Sequence, residues 1–371
     1  MNPKLAAIEP SVIRAIAAKK TPGAIDLGLG EPTLLPQMRF IEFATRWASE
    51  FGLKYTVNAG DAATRALIAA HYGYPGMAAA ANVCLTTGSQ EAVYVAIKAL
   101  LDPGADELLV VEPAFPAYLK IAQLEGIAAR GVPMREADGF RYDVDAIVAA
   151  IGPRTRLIVI GSPANPTGRV LTSMQARQLA RALGARGGAP VWVLHDEIYR
   201  ELTYVGDPGY MAAEYPYTIV ANSLSKSNAL TGLRVGWALA PSPAIEAIVK
   251  THSWVTSTAS TFGQRVAHEI FSEPAALREQ AAWYARQRWA IVAALRASRL
   301  EFIEPDGAFY VCVRLPRGTD SIAAAHTLVE ERGVVAIPGR IFGAALEGWL
   351  RLSFVAPLDA FTEGLRRIAA L

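Results

Sequence analysis

The chain has 371 residues, 52% of them hydrophobic and 19% charged, with a formal net charge of +2. This length and apolar content predict one large domain with a smaller one, each with a buried core, and exclude a disordered chain. The scattered, nearly balanced charge excludes the basic footprint of a nucleic-acid binder or of a protein held on an anionic membrane, and no run of about 18 apolar residues predicts a membrane span.

In chain order, MNPKLAAIEPSVIRAIAAKK carries charges through its apolar positions and has no continuous apolar core of a secretory signal, so a cytoplasmic location is expected. NVCLTTG is β-branched and ends on glycine, and SQEAVYVAIKALL after it has helical spacing. ELLVVEP is a short apolar run stopped by proline, followed by a helical AYLKIAQLEG. RLIVIGSP and PVWVLHDE are further short runs with polar residues at their C-terminal ends, and TSMQARQLARALGARGG between them predicts a helix closed by glycines. YTIVANSLS and VGWALAP complete the series. Strands alternating with helices predict an α/β fold whose large domain holds a mainly parallel sheet flanked by helices.

Beyond about residue 242 the pattern changes. SPAIEAIVKTHSWVTS and SEPAALREQAAWYARQRWAIVAALRAS predict long helices. GAFYVCVRLP, GVVAIPG and WLRLSFVAP predict strands of a second, smaller sheet, and DAFTEGLRRIAAL a closing helix. The expected division is a large domain over residues 34–265 and a small α/β domain over residues 1–33 and 266–371.

Parallel sheets place ligands beyond the C-terminal ends of their strands. Thr87, Gly88, Ser89, residues 113–115, Asn165, Asp196 and the segment from Ser223 to Lys226 are all expected at that edge. Gly88-Ser89 opens a helix, so its free N–H groups suit an anion, although a plain N-cap has the same appearance. GSPANPTG reads as a structural turn or as a turn presenting the Asn165 amide. Asp196 in HDEIY ends a buried strand, where a carboxylate is costly unless a cation pairs with it or it caps a helix. His195 points to the opposite face and reads as structural. Arg351 within WLRLSFVAP needs a carboxylate partner, either structural or belonging to a ligand. Lys226 in ANSLSKSNALTGLRVGW is either a surface charge or a reactive amine. Cys84 and Cys312 lack the spacing of a disulfide framework or a zinc site. HEIFS, beginning at His268, lacks the second histidine of a metalloprotease, and neither GxGxxG, a P-loop nor GxSxG occurs.

Seven segments taken together resemble the class I/II aminotransferases, which are pyridoxal-phosphate (PLP) enzymes of fold type I related to aspartate aminotransferase. They are LKYTVNAGDAATRALIAAHYG, TTGSQEAV, EPAFPAY, GSPANPTG, HDEIY, SLSKSNALTGLRVGW and DGAFYVCVRLP, and the likeness runs from DLGLGEP to RLSFVAP. The resemblance implies that Lys226 binds PLP covalently and later shuttles a proton, and that Asp196 keeps the pyridine nitrogen protonated. It implies that Asn165 and Tyr199 hydrogen-bond the phenolic oxygen and that Phe115 stacks on the ring. Gly88, Ser89, Gln90, Ser223, Ser225 and Arg234 would hold the cofactor at its phosphate end. Tyr55 would reach the phosphate of a neighbouring subunit, which implies a homodimer with shared sites. Arg351, Gly30 and Asn165 would contact the substrate.

The implied reaction moves an amino group between an L-amino acid and a 2-oxo acid by a ping-pong cycle. The same residues also serve C–S lyases and other eliminating relatives. A remoter alternative is a non-catalytic sensor of PLP or an amino acid; such proteins carry an added DNA-binding domain, for which the likeness is expected to leave no room. No second cation for a dicarboxylate substrate is legible. Arg39 and Arg340 lie in segments that either border the expected pocket or belong to the surface, and the apolar EPTLLPQMRF favours a neutral side chain.

Overall fold

Short β-branched runs become strands here because both of their faces are covered. The computed structural model describes residues 3–6, 8–298 and 300–371. A two-residue strand β1 (Ile25–Asp26) precedes the main series. That series is β2 (Val83–Thr86), β3 (Glu107–Glu112), β4 (Ala128–Pro133), β5 (Thr155–Gly161), β6 (Trp192–Asp196), β7 (Thr218–Ser223) and β8 (Gly236–Leu239). The last seven form one sheet in the order β2-β8-β7-β6-β5-β3-β4. Every adjacent pair is parallel except the two that involve β8, which alone runs against the rest.

The alternation along the strands sets the two faces. Leu157 and Val159 of β5 pack with Leu194, Ile219 and the helix Ser89–Leu100, whereas Ile158 and Ile160 pack with Val193 and Leu179 and Leu183 of the helix Ser173–Gly184. Each fully buried Val, Leu or Ile contributes roughly 1.5–3 kcal/mol. The helix Ser173–Gly184 starts on a capping box, in which Thr172 Oγ1 accepts the Gln175 N–H and Gln175 Oε1 accepts the Thr172 N–H.

A four-stranded antiparallel sheet follows, built from β9 (Phe302–Ile303), β10 (Tyr310–Arg314), β12 (Ile337–Pro338) and β13 (Trp349–Ser353) in the order β12-β13-β10-β9. Between them in sequence, β11 (Val334–Val335) pairs in parallel with β1, which ties the N-terminal segment to this part of the molecule. Tyr284 and Leu295 of the helix Ala281–Ser298 share a core with Leu27, Phe309, Leu328 and Phe361.

Position 265, the boundary expected from the sequence, falls inside the helix Thr261–Ser272. Val266, Ala267 and Ile270 of that helix pack with Phe40, Ala44 and Ile68 of the helices Met38–Phe51 and Ala62–Tyr72. A cut at 265 would split this cluster. Among the described residues no helix is long and apolar enough to cross a membrane.

Candidate active site

The C-terminal ends of β5 and β6, the turn after β7 and the turn before β8 open into one cavity of about 1100 Å³. Gly30, Ser89, Gln90, Phe115, Asn165, Asp196, Tyr199, Ser225, Lys226, Arg234 and Arg351 all line it, so most residues singled out in the sequence meet there.

Lys226 lies just past β7, and its Nζ donates to the Gly30 carbonyl at 2.6 Å. Burial, then the nearby Arg351 and Arg234 charges, lower its pKa to about 8. Such an amine has an appreciable neutral fraction near pH 7 and can attack a carbonyl. Gly30 has a local reason to be glycine, because a Cβ there would run into the Tyr310 hydroxyl.

Asp196 ends β6 with its carboxylate buried. Oδ2 accepts from the Tyr118 hydroxyl at 2.7 Å and Oδ1 from the Ile198 N–H at 3.1 Å. Burial raises its pKa above the ordinary value, against these two hydrogen bonds. Among the described residues no ion pair involves Asp196. The adjacent Glu197 takes the other side of the strand, where Arg200 Nη1 donates to it at 2.7 Å and His195 Nδ1 lies 3.1 Å away. Burial opposes the Glu197 charge, yet Arg200 and His195 hold its pKa below the ordinary value. His195 is thus structural, on the side away from the cavity, as its place in the strand predicts.

Arg351 stands on β13, opposite Cys312 of β10. Its Nη1 donates to Asn165 Oδ1 at 3.2 Å and its Nη2 to the Gly28 carbonyl, and the guanidinium carbon lies 4.4 Å from the Tyr310 ring centroid. Its Nε is buried and has no hydrogen-bond partner among the described residues, which also provide Arg351 with no ion pair. With Oδ1 engaged, Asn165 keeps its amide NH₂ to donate elsewhere. Tyr199 and Tyr310 face each other with hydroxyl oxygens 2.8 Å apart.

At the other end, Gly88 has φ +80 and leads into the helix beginning at Ser89. Arg234 Nη1 donates to the Thr231 carbonyl at 2.8 Å and Nη2 to the Thr87 carbonyl at 3.3 Å, which sets the guanidinium against Gly88. A Cβ at Gly88 would collide with it, and one at Gly236 would sit 2.6 Å from the Ser89 nitrogen. A cation, a helix N-terminus and glycine backbone together make an anion cradle.

Two expected cofactor residues lie off the cavity wall. Gly88 and Ser223 are not among the cavity-lining residues; Ser223 is buried and its Oγ accepts the Ser225 N–H at 3.1 Å, shaping the turn that carries Lys226. Tyr55, expected to serve a neighbouring subunit, is 90% exposed and does not line the cavity of its own chain. Arg39 pairs with Glu273 and Glu279 outside the cavity, while Arg340 lines the rim, exposed, 3.6 Å from Glu347.

The sequence alone did not single out Tyr118, Tyr310 or Glu91. Glu91 Oε2 accepts the Thr87 N–H at 2.5 Å and its Oε1 lies 2.9 Å from His252 Nδ1, which braces the anion cradle.

Residues 23–368 match the family model described as aminotransferase class I and II. The chain belongs to this family. The aminotransferase is 33% identical to a probable N-acetyl-LL-diaminopimelate aminotransferase of Bacillus subtilis, across 99% of this chain and 94% of that protein. It is 32% identical to an aspartate aminotransferase of Pyrococcus horikoshii, across 97% of this chain and 94% of that one. Among solved structures, the aspartate aminotransferase of Thermus thermophilus with maleate matches with a TM-score of 0.91 at 29% identity, covering 100% of this chain and 99% of that one. The protein is therefore a PLP-dependent aminotransferase of fold type I, as the resemblance implied. The site fits that cofactor: a buried carboxylate without an ion pair suits a protonated ring nitrogen, and the cradle at Gly88 and Arg234 suits a phosphate.

Proposed function

We propose that this enzyme exchanges an amino group between an L-amino acid and a 2-oxo acid in two half-reactions at one site, with Lys226 as covalent anchor and proton carrier. The convergence of three groups supports this reading: a partly neutral amine at Lys226, and the buried charges of Asp196 and Arg351, neither with an ion pair among the described residues. When bound, PLP supplies the electron sink that stabilises charge at the substrate α-carbon. Asp196 would keep the ring nitrogen protonated, and Asn165 and Tyr199 would donate to the ring oxygen. Phe115 covers the ring face. Ser89, Gln90, Ser225 and Arg234 hold the phosphate with the backbone of Gly88, and Ser223 shapes their turn. Arg351 holds the substrate carboxylate beside Gly30. Lys226 Nζ would carry the substrate α-proton.

The walls formed by Ile13, Leu29, Phe115 and Ile341 favour a neutral substrate side chain, since Arg14, Lys120 and Arg340 lie exposed at the rim. We place the small domain at residues 1–33 and beyond 272, closing over the site when substrate binds. The working unit is a homodimer. Leu53, Tyr55, Val57 and Trp254 are 62%, 90%, 64% and 88% exposed, and the Asn58 side chain donates to the Ser257 carbonyl at 2.8 Å, joining their segments into one apolar surface. A second copy covering that surface brings Tyr55 toward the neighbouring phosphate cradle. Two free, buried cysteines accord with action in the cytoplasm.

A half-reaction tests this. PLP-loaded enzyme mixed with an amino acid and no acceptor should yield one 2-oxo acid per site and lose its initial visible band, and a second 2-oxo acid should restore the band. A panel of neutral, acidic and basic donors ranks the side chains. Continuous ammonia release without restoration of the band would replace the transfer by elimination.

A further inference from the structure

We infer that Tyr310 is a positioning residue for Tyr199: its hydroxyl donates to the Tyr199 oxygen, turns the Tyr199 proton into the cavity, and thereby lowers the pH at which Lys226 Nζ loses its proton in the loaded enzyme. The inference rests on the proposed role of Tyr199 as a donor to the cofactor ring oxygen.

Three observations carry it. First, the two hydroxyls are 2.8 Å apart and the two rings are buried, 3% and 2% exposed, with an interplanar angle of 82°. No other hydrogen bond to either hydroxyl is found among the described residues. Each hydroxyl has one proton to place, so the pair must adopt an order. Second, the Arg351 guanidinium carbon lies 4.4 Å from the centre of the Tyr310 ring. A cation on that face draws electron density from the phenol and makes Tyr310 the stronger donor of the two. Tyr199 is then the acceptor within the pair, and its own proton points into the cavity it lines. Third, the Tyr310 hydroxyl has room only because position 30 is glycine, and the carbonyl of that glycine takes Lys226 Nζ at 2.6 Å. The hydroxyl is wedged between the backbone that holds the lysine and the phenol that faces the ring.

The sign follows from hydrogen-bond cooperativity. A phenol that accepts a hydrogen bond becomes a stronger donor, by about 10–30% per bond. A stronger bond from Tyr199 stabilises negative charge on the ring oxygen and draws it away from the adjacent nitrogen, which then releases its proton at lower pH. Applied to a charge-assisted bond, this corresponds to a shift of about 0.2–0.6 pH units.

The experiment is a pH titration of the visible absorbance of PLP-loaded enzyme, which reports protonation of the nitrogen at Lys226. Tyr310→Phe removes one oxygen and keeps the ring on Arg351. Its midpoint should rise by about 0.2–0.6 units. Tyr199→Phe should raise it further, and the double variant should match Tyr199→Phe. Replacing Tyr310 by a fluorinated tyrosine, a more acidic phenol of nearly the same shape, should move the midpoint down and serves if Tyr310→Phe does not fold. An unmoved midpoint in Tyr310→Phe, with Tyr199→Phe shifted, overturns the inference alone. So does a Tyr310→Phe shift that persists undiminished on the Tyr199→Phe background. An unmoved midpoint in Tyr199→Phe overturns the proposed role of Tyr199 itself.

Discussion

Lys226 offers the most direct quantitative test of the site, because its reactivity before cofactor binding is set by burial and by two neighbouring cations. With its pKa lowered from 10.5 to about 8, roughly one-tenth of the amine is neutral at pH 7. An unperturbed lysine would have about three parts in ten thousand neutral, roughly 300-fold less. Cofactor-free protein mixed rapidly with PLP should therefore form its absorbance band at a rate that climbs with pH up to about 8 and then levels. A lysine peptide measured in parallel corrects for titration of PLP itself. The neighbours give signed variants. Arg351→Gln removes a charge that opposes protonation and should move the break to higher pH, whereas Glu31→Gln removes one that favours it and should move the break lower. A rate that rises tenfold per pH unit through pH 10, with no break, would show an ordinary amine and refute the electrostatic account.

The same burial has a stability cost. The folded pKa of about 8 lies below the unfolded value of 10.5, so the penalty is full below pH 8 and fades as pH rises toward 10.5. Cofactor-free Lys226→Met should be more stable than the parent at pH 7 by on the order of 1–3 kcal/mol in urea unfolding, and by much less at pH 10; a gap independent of pH would contradict this. Arg351→Lys should raise KM for amino acid and 2-oxo acid about 10- to 100-fold through loss of the planar fork, while the bound cofactor's spectrum stays unchanged. Gly30→Ala should destabilise by about 1–3 kcal/mol in denaturant unfolding through the clash with Tyr310, and adding Tyr310→Phe should recover part of that loss.

Much of the sheet was legible because its strands are buried on both faces. RLIVIG and VWVL could hardly be anything else, and the polar residues ending them marked the ligand edge. The strand β4 was not legible. It is an edge strand whose first three residues are exposed, so AARGVP carries no apolar run. The helix Ser321–Glu331 escaped as well, since an alanine-rich stretch gives a weak period. The expected boundary at 265 falls within a helix because TFGQRVAHEIFS keeps its amphipathic pattern straight through that position. At the site, Lys226, Asp196 and Arg351 were legible as charges in apolar surroundings. Tyr118 and Tyr310 were not, because a tyrosine in an apolar stretch reads as core. Their roles depend on hydroxyls meeting partners 78 and 111 positions away in the chain.

The reversed strand β8 has a consequence for how the site is strung together. Gly236 at its start stands between Thr86 and Ser223, the last residues of β2 and β7. In an all-parallel sheet the chain leaving Ser223 would need a crossover of a dozen or more residues, usually a helix across a face, before contributing another strand. Here it turns back at the same rim. The Lys226 amine and the Arg234 guanidinium therefore ride on one short closed loop whose two ends are fixed by adjacent strands. The reach from Lys226 to the anion cradle is built into the weave of the sheet.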